Sequence, residues 1–193
     1  MPETGGGKRG LLLVISGPSG VGKSSVVQAL TERVEFHFSV SWTTRRRRPG
    51  EQDGIDYVFV TRERFEEGIG GDEFLEWAEY SGYLYGTPRA AVLAHLDRGE
   101  HVLLDIENDG AGQVKRSYPE AVLVFILPPS QAELERRLRS RGDTAEEDIK
   151  RRLAVASEQI EEAMVKFDYR VVNRDVAVVA DEIVSILAAA GGS

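Results

Sequence analysis

At 193 residues, 41% hydrophobic and 29% charged, the chain is long enough for one substantial core and has the balance of a globular protein, which excludes a disordered tail. The absence of cysteine excludes disulfides, thiolate metal sites and a cysteine nucleophile, and the histidines at 37, 95 and 101 lack zinc-ligand spacing. A net charge of -8, from 32 acidic and 24 basic residues, argues against a broad nucleic-acid surface.

Positive charge is concentrated in Arg45-Arg46-Arg47-Arg48 and between Arg136 and Arg141, which favours compact anions such as nucleotide phosphates over a polymer. The longest apolar run, Ala121 to Leu127, falls far short of the roughly 18 residues needed to cross a bilayer. The first ten residues, M-P-E-T-G-G-G-K-R-G, have no apolar segment of signal-peptide length. A flexible polar leader over 1–9 and a cytoplasmic protein are expected.

The first predicted element is a strand over Leu11 to Ile15, apolar throughout, as in a strand buried on both faces. A helix over Ser24 to Arg33 follows, with Val26, Val27 and Leu30 facing a sheet. Residues 36 to 60 alternate in part, and Tyr57-Val58-Phe59-Val60 reads as a short strand after the Pro49-Gly50 and Asp53-Gly54 turns. A short helix begins near Arg62. Beyond it Phe74, Trp77 and Tyr80 fall three apart among acids, and Tyr83, Tyr85 and nearby glycines read as a folded turn region.

His101 to Ile106 and Val122 to Leu127 return to the central-strand pattern. Pro128-Pro129 stops the second, and Ser130 with Glu133 forms a capping-box pattern for a helix that carries Leu134 and Leu138 and ends near Gly142. A long helix from Glu146 ends before Tyr169, a strand covers Tyr169 to Asn173, and an amphipathic helix covers Ala177 to Leu187. Apolar strands alternating with helices predict an α/β fold: a three-layer α/β/α core with a mostly parallel sheet.

Residues 17 to 24, Gly17-Pro18-Ser19-Gly20-Val21-Gly22-Lys23-Ser24, match G-x-x-x-x-G-K-[S/T] in full and stand between a predicted strand and a predicted helix. Glycines 17, 20 and 22 let backbone N–H groups converge on an anion, and the helix that follows adds its positive end. Lys23 supplies a mobile charge for the β and γ phosphates, and the Ser24 hydroxyl can ligate magnesium. Asp105 is the best candidate for the carboxylate that magnesium wants nearby, with Glu107 and Asp109 close in sequence. A strand-end cap, or an ion-pair partner for an arginine, is the other reading of Asp105. The segment from Ser41 to Arg48, with Tyr57, can hold a second phosphate through forked guanidinium contacts, although four adjacent arginines cannot all face one ligand.

Five segments, F-S-V-S-W-T-T-R-R-R-R-P-G-E-Q-D-G-I-D-Y-V-F-V (38 to 60), E-F-L-E-W-A-E-Y-S-G-Y-L-Y-G-T (73 to 87), L-D-I-E-N-D-G (104 to 110), F-I-L-P-P-S (125 to 130) and L-R-S-R-G (138 to 142), together resemble guanylate kinase. The resemblance covers about 10 to 188. It implies a P-loop core of 10–39, 96–134 and 166–190, an inserted small mixed α/β GMP-binding lobe over 40–95, and a helical lid over 135–165. It implies ATP and GMP as substrates, with Mg2+.

By the same resemblance Ser41 and Thr87 bond the guanine ring, and Glu76 accepts from its N1–H and 2-amino group. That carboxylate is an acceptor-only fork, which suits guanine and not adenine. Arg45, Arg48, Tyr57 and Tyr85 hold the GMP phosphate, with Gly86 and Glu107 completing the site. Lys23, Arg45, Arg137, Arg141 and Arg152 form the catalytic set. The ATP side comprises Gly17, Pro18, Ser19, Gly20, Val21, Gly22, Lys23, Ser24, Ser25 and Asn173, the last beside adenine. Ser24, and Asp105 through water, serve the metal.

Two positions depart from the family pattern D-I-D-x-Q-G, which here reads Asp105-Ile106-Glu107-Asn108-Asp109-Gly110. Activity is expected to survive with a slightly altered guanine site. A kinase for another nucleoside monophosphate, and a noncatalytic module that binds protein partners, are the alternatives. The Ser41, Glu76 and Thr87 set argues against the first and Lys23 against the second. The oligomeric state, monomer or homodimer, stays open.

Overall fold

In the computed structural model, which describes residues 8–140 and 145–191, the elements in chain order begin with β1 (Leu12–Ser16), α1 (Lys23–Thr31), β2 (His37–Phe38), β3 (Trp42–Thr43), β4 (Val58–Phe59) and α2 (Arg62–Gly70). They continue with β5 (Phe74–Tyr80), β6 (Tyr83–Pro88), α3 (Arg89–Asp97), β7 (Val102–Asp105), α4 (Asn108–Ser117) and β8 (Val122–Leu127). The chain closes with α5 (Gln131–Arg139), α6 (Glu146–Lys166), β9 (Tyr169–Val172) and α7 (Val176–Gly191). One sheet has the order β2-β7-β1-β8-β9 and the other β4-β3-β6-β5. The fold is α/β with a mostly parallel larger sheet: β2 with β7, β1 with β8, and β8 with β9 all run parallel.

The chain forms two compact units. One takes in Leu13–Glu35, Asp105–Ala111 and residues from Val122 onward. In it β1 is buried at every position and pairs with β8 from Leu13 opposite Val122 to Ser16 opposite Phe125. Burial on both faces is what an uninterrupted L-L-V-I run requires, since a strand with one wet face would alternate. The Ser130 hydroxyl accepts from the Glu133 N–H and starts α5 as predicted, while the Glu133 carboxylate is held by Arg136 and Arg137. Leu134 and Leu138 of α5 pack on Ala156 and Leu153 of α6.

The other unit takes in residues 8–12, Phe36–Leu104 and Gly112–Ala121. Its four-stranded sheet is mixed: β3 is parallel to β4 and antiparallel to β6, and β5 pairs antiparallel with β6. Residues 74 to 88, which the sequence presents as aromatic spacing and a folded turn region, are a β-hairpin. Ser81 and Gly82 both have positive φ, 52° and 80°, which is the backbone of a two-residue turn matched to strand twist. The sequence pattern does not mark α3 or α4. The helix α4, N-D-G-A-G-Q-V-K-R-S, carries two glycines and few apolar residues, so its helix propensity is low and it reads as a loop.

One face of this small sheet is a packed core of Phe65, Phe74 and Leu84 with Trp42, Val60 and Ile69 around them. The rings of Phe65 and Phe74 stack at 4.4 Å over Gly86. A Cβ at Gly86 would stand 2.8 Å from Phe74 Cδ1 and 2.9 Å from Phe65 Cζ, so a glycine is demanded here by space. Gly86→Ala is expected to cost about 1–3 kcal/mol through overpacking. Calorimetry should show a melting temperature several degrees lower, and an unchanged value would mean that the rings yield freely.

Candidate active site

The 17–24 segment turns tightly between β1 and α1. Gly20 and Gly22 take positive φ, 86° and 97°, and Gly22 is the N-cap of α1. Gly17 is constrained differently: a Cβ there would lie 2.8 Å from the Ile126 carbonyl oxygen of β8. The loop therefore needs glycine at 20 and 22 for conformation and at 17 for close approach. Gly17, Pro18, Ser19, Gly20, Gly22, Lys23, Ser24 and Ser25 line a cleft of about 610 Å³, whose other wall is Glu107 with Arg151, Arg152, Val155 and Gln159. That volume suits a nucleotide-sized ligand.

Lys23 is the first residue of α1, and its Nζ lies 2.6 Å from Asp105 Oδ1 at the end of β7. The ion pair foreseen for Asp105 is therefore made with the loop lysine and not with an arginine. Val21, Asn173 and Arg137 are not part of the cleft lining. Asn173 is buried, its side-chain amide donates to the Val21 carbonyl at 2.8 Å, and a Cβ on Gly22 would collide with it at 2.6 Å. Arg137 donates to the Val21 and Asn173 carbonyls at 2.9 and 3.2 Å and to Glu133 at 2.8 Å. In this conformation it props the loop from behind, which differs from the expected phosphate-facing position: two backbone carbonyls and a carboxylate already use its donors. Arg141 lies outside the described residues.

Behind the loop, Ser16 donates to the buried Asn108 Oδ1 at 3.0 Å, and the Asn108 amide donates to the Gln159 carbonyl of α6 at 2.9 Å. Gln159 in turn donates to Glu107 at 3.0 Å. Arg151, Val155 and Gln159, spaced four apart on α6, share a face toward the cleft, a repeat that was readable in the sequence and went unread.

In the other unit, Glu76 of β5 stands directly opposite Thr87 of β6, and the Thr87 hydroxyl donates to Glu76 Oε1 at 2.5 Å. Tyr85, two residues before Thr87, shares its face of β6. Glu76 is only 8% exposed, and burial pushes its carboxyl above the usual carboxylate range despite the opposing bonds from Thr87. A β-bulge between Phe74 and Glu76 sets the orientation. Residues two apart on a regular strand share a face, whereas here Phe74 opposes Pro88 and packs in the aromatic core while Glu76 opposes Thr87.

Arg45 forks onto Glu51 at 2.7 and 3.1 Å and lies over the Tyr57 and Phe59 rings at 5.5 and 5.8 Å. Tyr57 and Tyr85 meet edge to face at 5.9 Å. Glu51, unmarked in the sequence reading, also accepts from the Arg48 N–H at 2.7 Å, and Arg45 above all lowers its carboxyl pKa. The turn is thus preformed, with Arg45, Tyr57 and Tyr85 converging and the side chains of Arg46, Arg47 and Arg48 exposed. Ser41, half-buried just before β3, accepts from the Val58 N–H through its carbonyl.

The family model for guanylate kinase matches residues 9–190. The chain belongs to the guanylate kinase family. It is 56% identical over 167 residues to a guanylate kinase of Thermus thermophilus, an alignment covering 86% of this chain and 74% of that one. To the guanylate kinase of Synechococcus sp. (strain JA-3-3Ab) it is 49% identical over 180 residues, covering 93% and 82%. The crystal structure of guanylate kinase from Anaplasma phagocytophilum superposes with a TM-score of 0.69 at 37% identity, over 95% of this chain and 87% of that one.

Guanylate kinases typically use magnesium. Among the described residues no cluster of three His, Cys, Asp or Glu side chains is arranged to hold a metal. Magnesium keeps several waters and takes its remaining ligands from one or two carboxylates and the substrate phosphates, so no such cluster is required. The exposed Ser24 hydroxyl and the half-exposed Asp105 carboxylate fit that donor set. Among the described residues no helix is long and apolar enough to cross a membrane.

Proposed function

We infer that this guanylate kinase transfers the γ-phosphate of ATP to GMP, giving ADP and GDP, with the 17–24 loop holding ATP and the face around Glu76 holding GMP. The observation that carries the reading is the buried Glu76 carboxylate. A charge is placed in an apolar strand pair only where something regains the lost hydration, and guanine's N1–H and 2-amino donors do so. Thr87 occupies one oxygen through its hydroxyl, and Ser41 stands on the neighbouring strand segment. Arg45, Arg48, Tyr57 and Tyr85 take the GMP phosphate, and Glu107 serves the guanine 2-amino group.

On the donor side, the loop N–H groups cradle the triphosphate and Lys23 moves from Asp105 to the β and γ oxygens. Arg151 and Arg152 lie across the cleft from the loop and spread positive charge over the transferring group. Ser24, and Asp105 through water, would hold magnesium, which would supply positive charge to the triphosphate. Arg137 adds to the cationic set on leaving its contacts with Glu133 and the Val21 and Asn173 carbonyls, and Arg141 is assigned to the same set. The GMP phosphate is already anionic near neutral pH, so it attacks in line with no strong general base, and catalysis comes from positioning and charge. We assign the core to 10–39, 96–134 and 166–190, the GMP lobe to 40–95 and the lid to 135–165.

A coupled ADP-release assay with GMP, AMP, CMP and UMP as acceptors tests the reading. Turnover with GMP alone is expected. Turnover favouring another monophosphate would overturn the assignment of Glu76, and no acceptor-dependent turnover would favour a binding module.

A further inference from the structure

β5 is the outer strand of its sheet, so among the described residues its far edge has no strand partner. The peptide groups on either side of Glu76 on that edge are nevertheless taken up. Trp77 N–H donates to Gln113 Oε1 at 3.1 Å, and Gln113 Nε2 donates back to the Trp77 carbonyl at 2.9 Å. Ser117 Oγ donates to the Leu75 carbonyl at 3.0 Å. Arg89 adds a bond to the Phe74 carbonyl at 3.3 Å and another to the Ser117 carbonyl at 3.3 Å, which ties the frame together.

The two bonds between Gln113 and Trp77 reproduce the paired exchange that a residue of an antiparallel strand makes with its opposite number. One side chain on α4 thus replaces a missing strand. The Ser117 bond to Leu75 falls on the bulge that turns Glu76 away from the face holding Phe74, and the Gln113 pair clamps Trp77 immediately beyond it, so the two bracket Glu76. A bulge interrupts the ladder and leaves local peptide groups unpaired, so it persists only where other groups satisfy them. Regularising it would move Glu76 to the wrong face of the sheet.

We propose that Gln113, assisted by Ser117, is a positioning residue for base recognition: it locks the β5 bulge and so aims the Glu76 carboxylate at the acceptor base. The proposal rests on the reading of Glu76 as the guanine acceptor. Gln113 touches no substrate, and its effect passes through the backbone at Leu75 to Trp77. Loosening the bulge lets the carboxylate wander, which weakens a forked contact more than a single one.

The experiment measures steady-state kinetics of Gln113→Ala, Gln113→Glu and Glu76→Gln beside the parent, with GMP and with inosine monophosphate, which has no 2-amino group, as acceptors. Gln113→Glu keeps the acceptor for the Trp77 N–H and loses the donor to its carbonyl, so it stays informative where the alanine variant folds poorly. For both Gln113 variants KM for GMP is expected to rise about tenfold. The preference for GMP over inosine monophosphate should fall, with kcat and KM for ATP unchanged. Unchanged GMP kinetics, or equal losses in kcat and both KM values, would overturn the proposal. A Glu76→Gln enzyme that binds GMP normally would instead remove the reading beneath it. Damage by Glu76→Gln without damage at Gln113 would leave that reading standing and sink the inference alone.

Discussion

Lys23→Ala is expected to slow phosphoryl transfer by about a thousandfold, the scale set by removing one preorganised donor from a developing anion. The loss has two sources. The ammonium that follows the γ-phosphate disappears, and Asp105, paired with it at 2.6 Å, is left as an unopposed carboxylate beside the phosphate cleft. The second source predicts a compound result: adding Asp105→Asn to Lys23→Ala should restore part of the ATP affinity and none of the rate. Lys23→Arg should not rescue, because a planar fork cannot stand in for a compact charge at the head of α1. ADP release at saturating substrates measures the rate and calorimetry the affinity. A single variant within tenfold of the parent would remove Lys23 from the catalytic set.

Glu76→Gln should lower kcat/KM for GMP by about a hundredfold, near 3 kcal/mol, with KM for ATP unchanged. The amide keeps one acceptor and sets an N–H₂ donor against a donor of the base, so the fork loses half its fit and all its charge. A pH dependence accompanies this. Burial raises the Glu76 pKa, so the protonated form, which cannot accept two donors, persists to higher pH than for an ordinary carboxyl. KM for GMP should therefore climb as the pH falls toward that raised pKa, with the acceptor form present above it. Stability of the free protein has the opposite sign: the folded state binds the proton more tightly than the unfolded one. The Glu76 contribution to stability thus declines as pH rises from the ordinary carboxylate range through the raised value. Glu76→Gln should abolish both trends, and a variant that keeps the acid limb would assign it to another group.

The two halves of this chemistry were unequally visible in the amino-acid sequence. The phosphate loop is a contiguous motif whose glycines answer to φ and space at fixed spacing, so Gly17 to Ser24 could be read directly. The strand Val122–Leu127 was legible for a similar reason, because burial on both faces leaves an unbroken apolar run. Glu76 could be picked out only through family resemblance. Its strand, F-L-E-W-A-E-Y, does not alternate, since the bulge places Phe74 and Glu76 on opposite faces although they are two apart. Bulges are specified by what satisfies the loosened peptide groups, and here Ser117 holds the bulge at Leu75 while Gln113 holds Trp77 just beyond it, both far along the chain on α4. Arg137 was invisible in another way: its sequence spacing suits a phosphate ligand, but its resting partners are carbonyls of Val21 and Asn173 that no local pattern announces.

The contact between Lys23 and Asp105 makes the resting phosphate loop nearly self-neutral. Any anion that settles there must first break that attachment, and with both groups partly exposed the penalty is about 1 kcal/mol or less. The penalty is the same for every visitor, so it matters little to a triphosphate with many contacts and proportionately more to inorganic phosphate or chloride. The pair thereby lowers the occupancy of the loop by small anions of the surrounding solution by no more than about fivefold, and the lysine is released most readily by a ligand that brings enough negative charge to replace its partner.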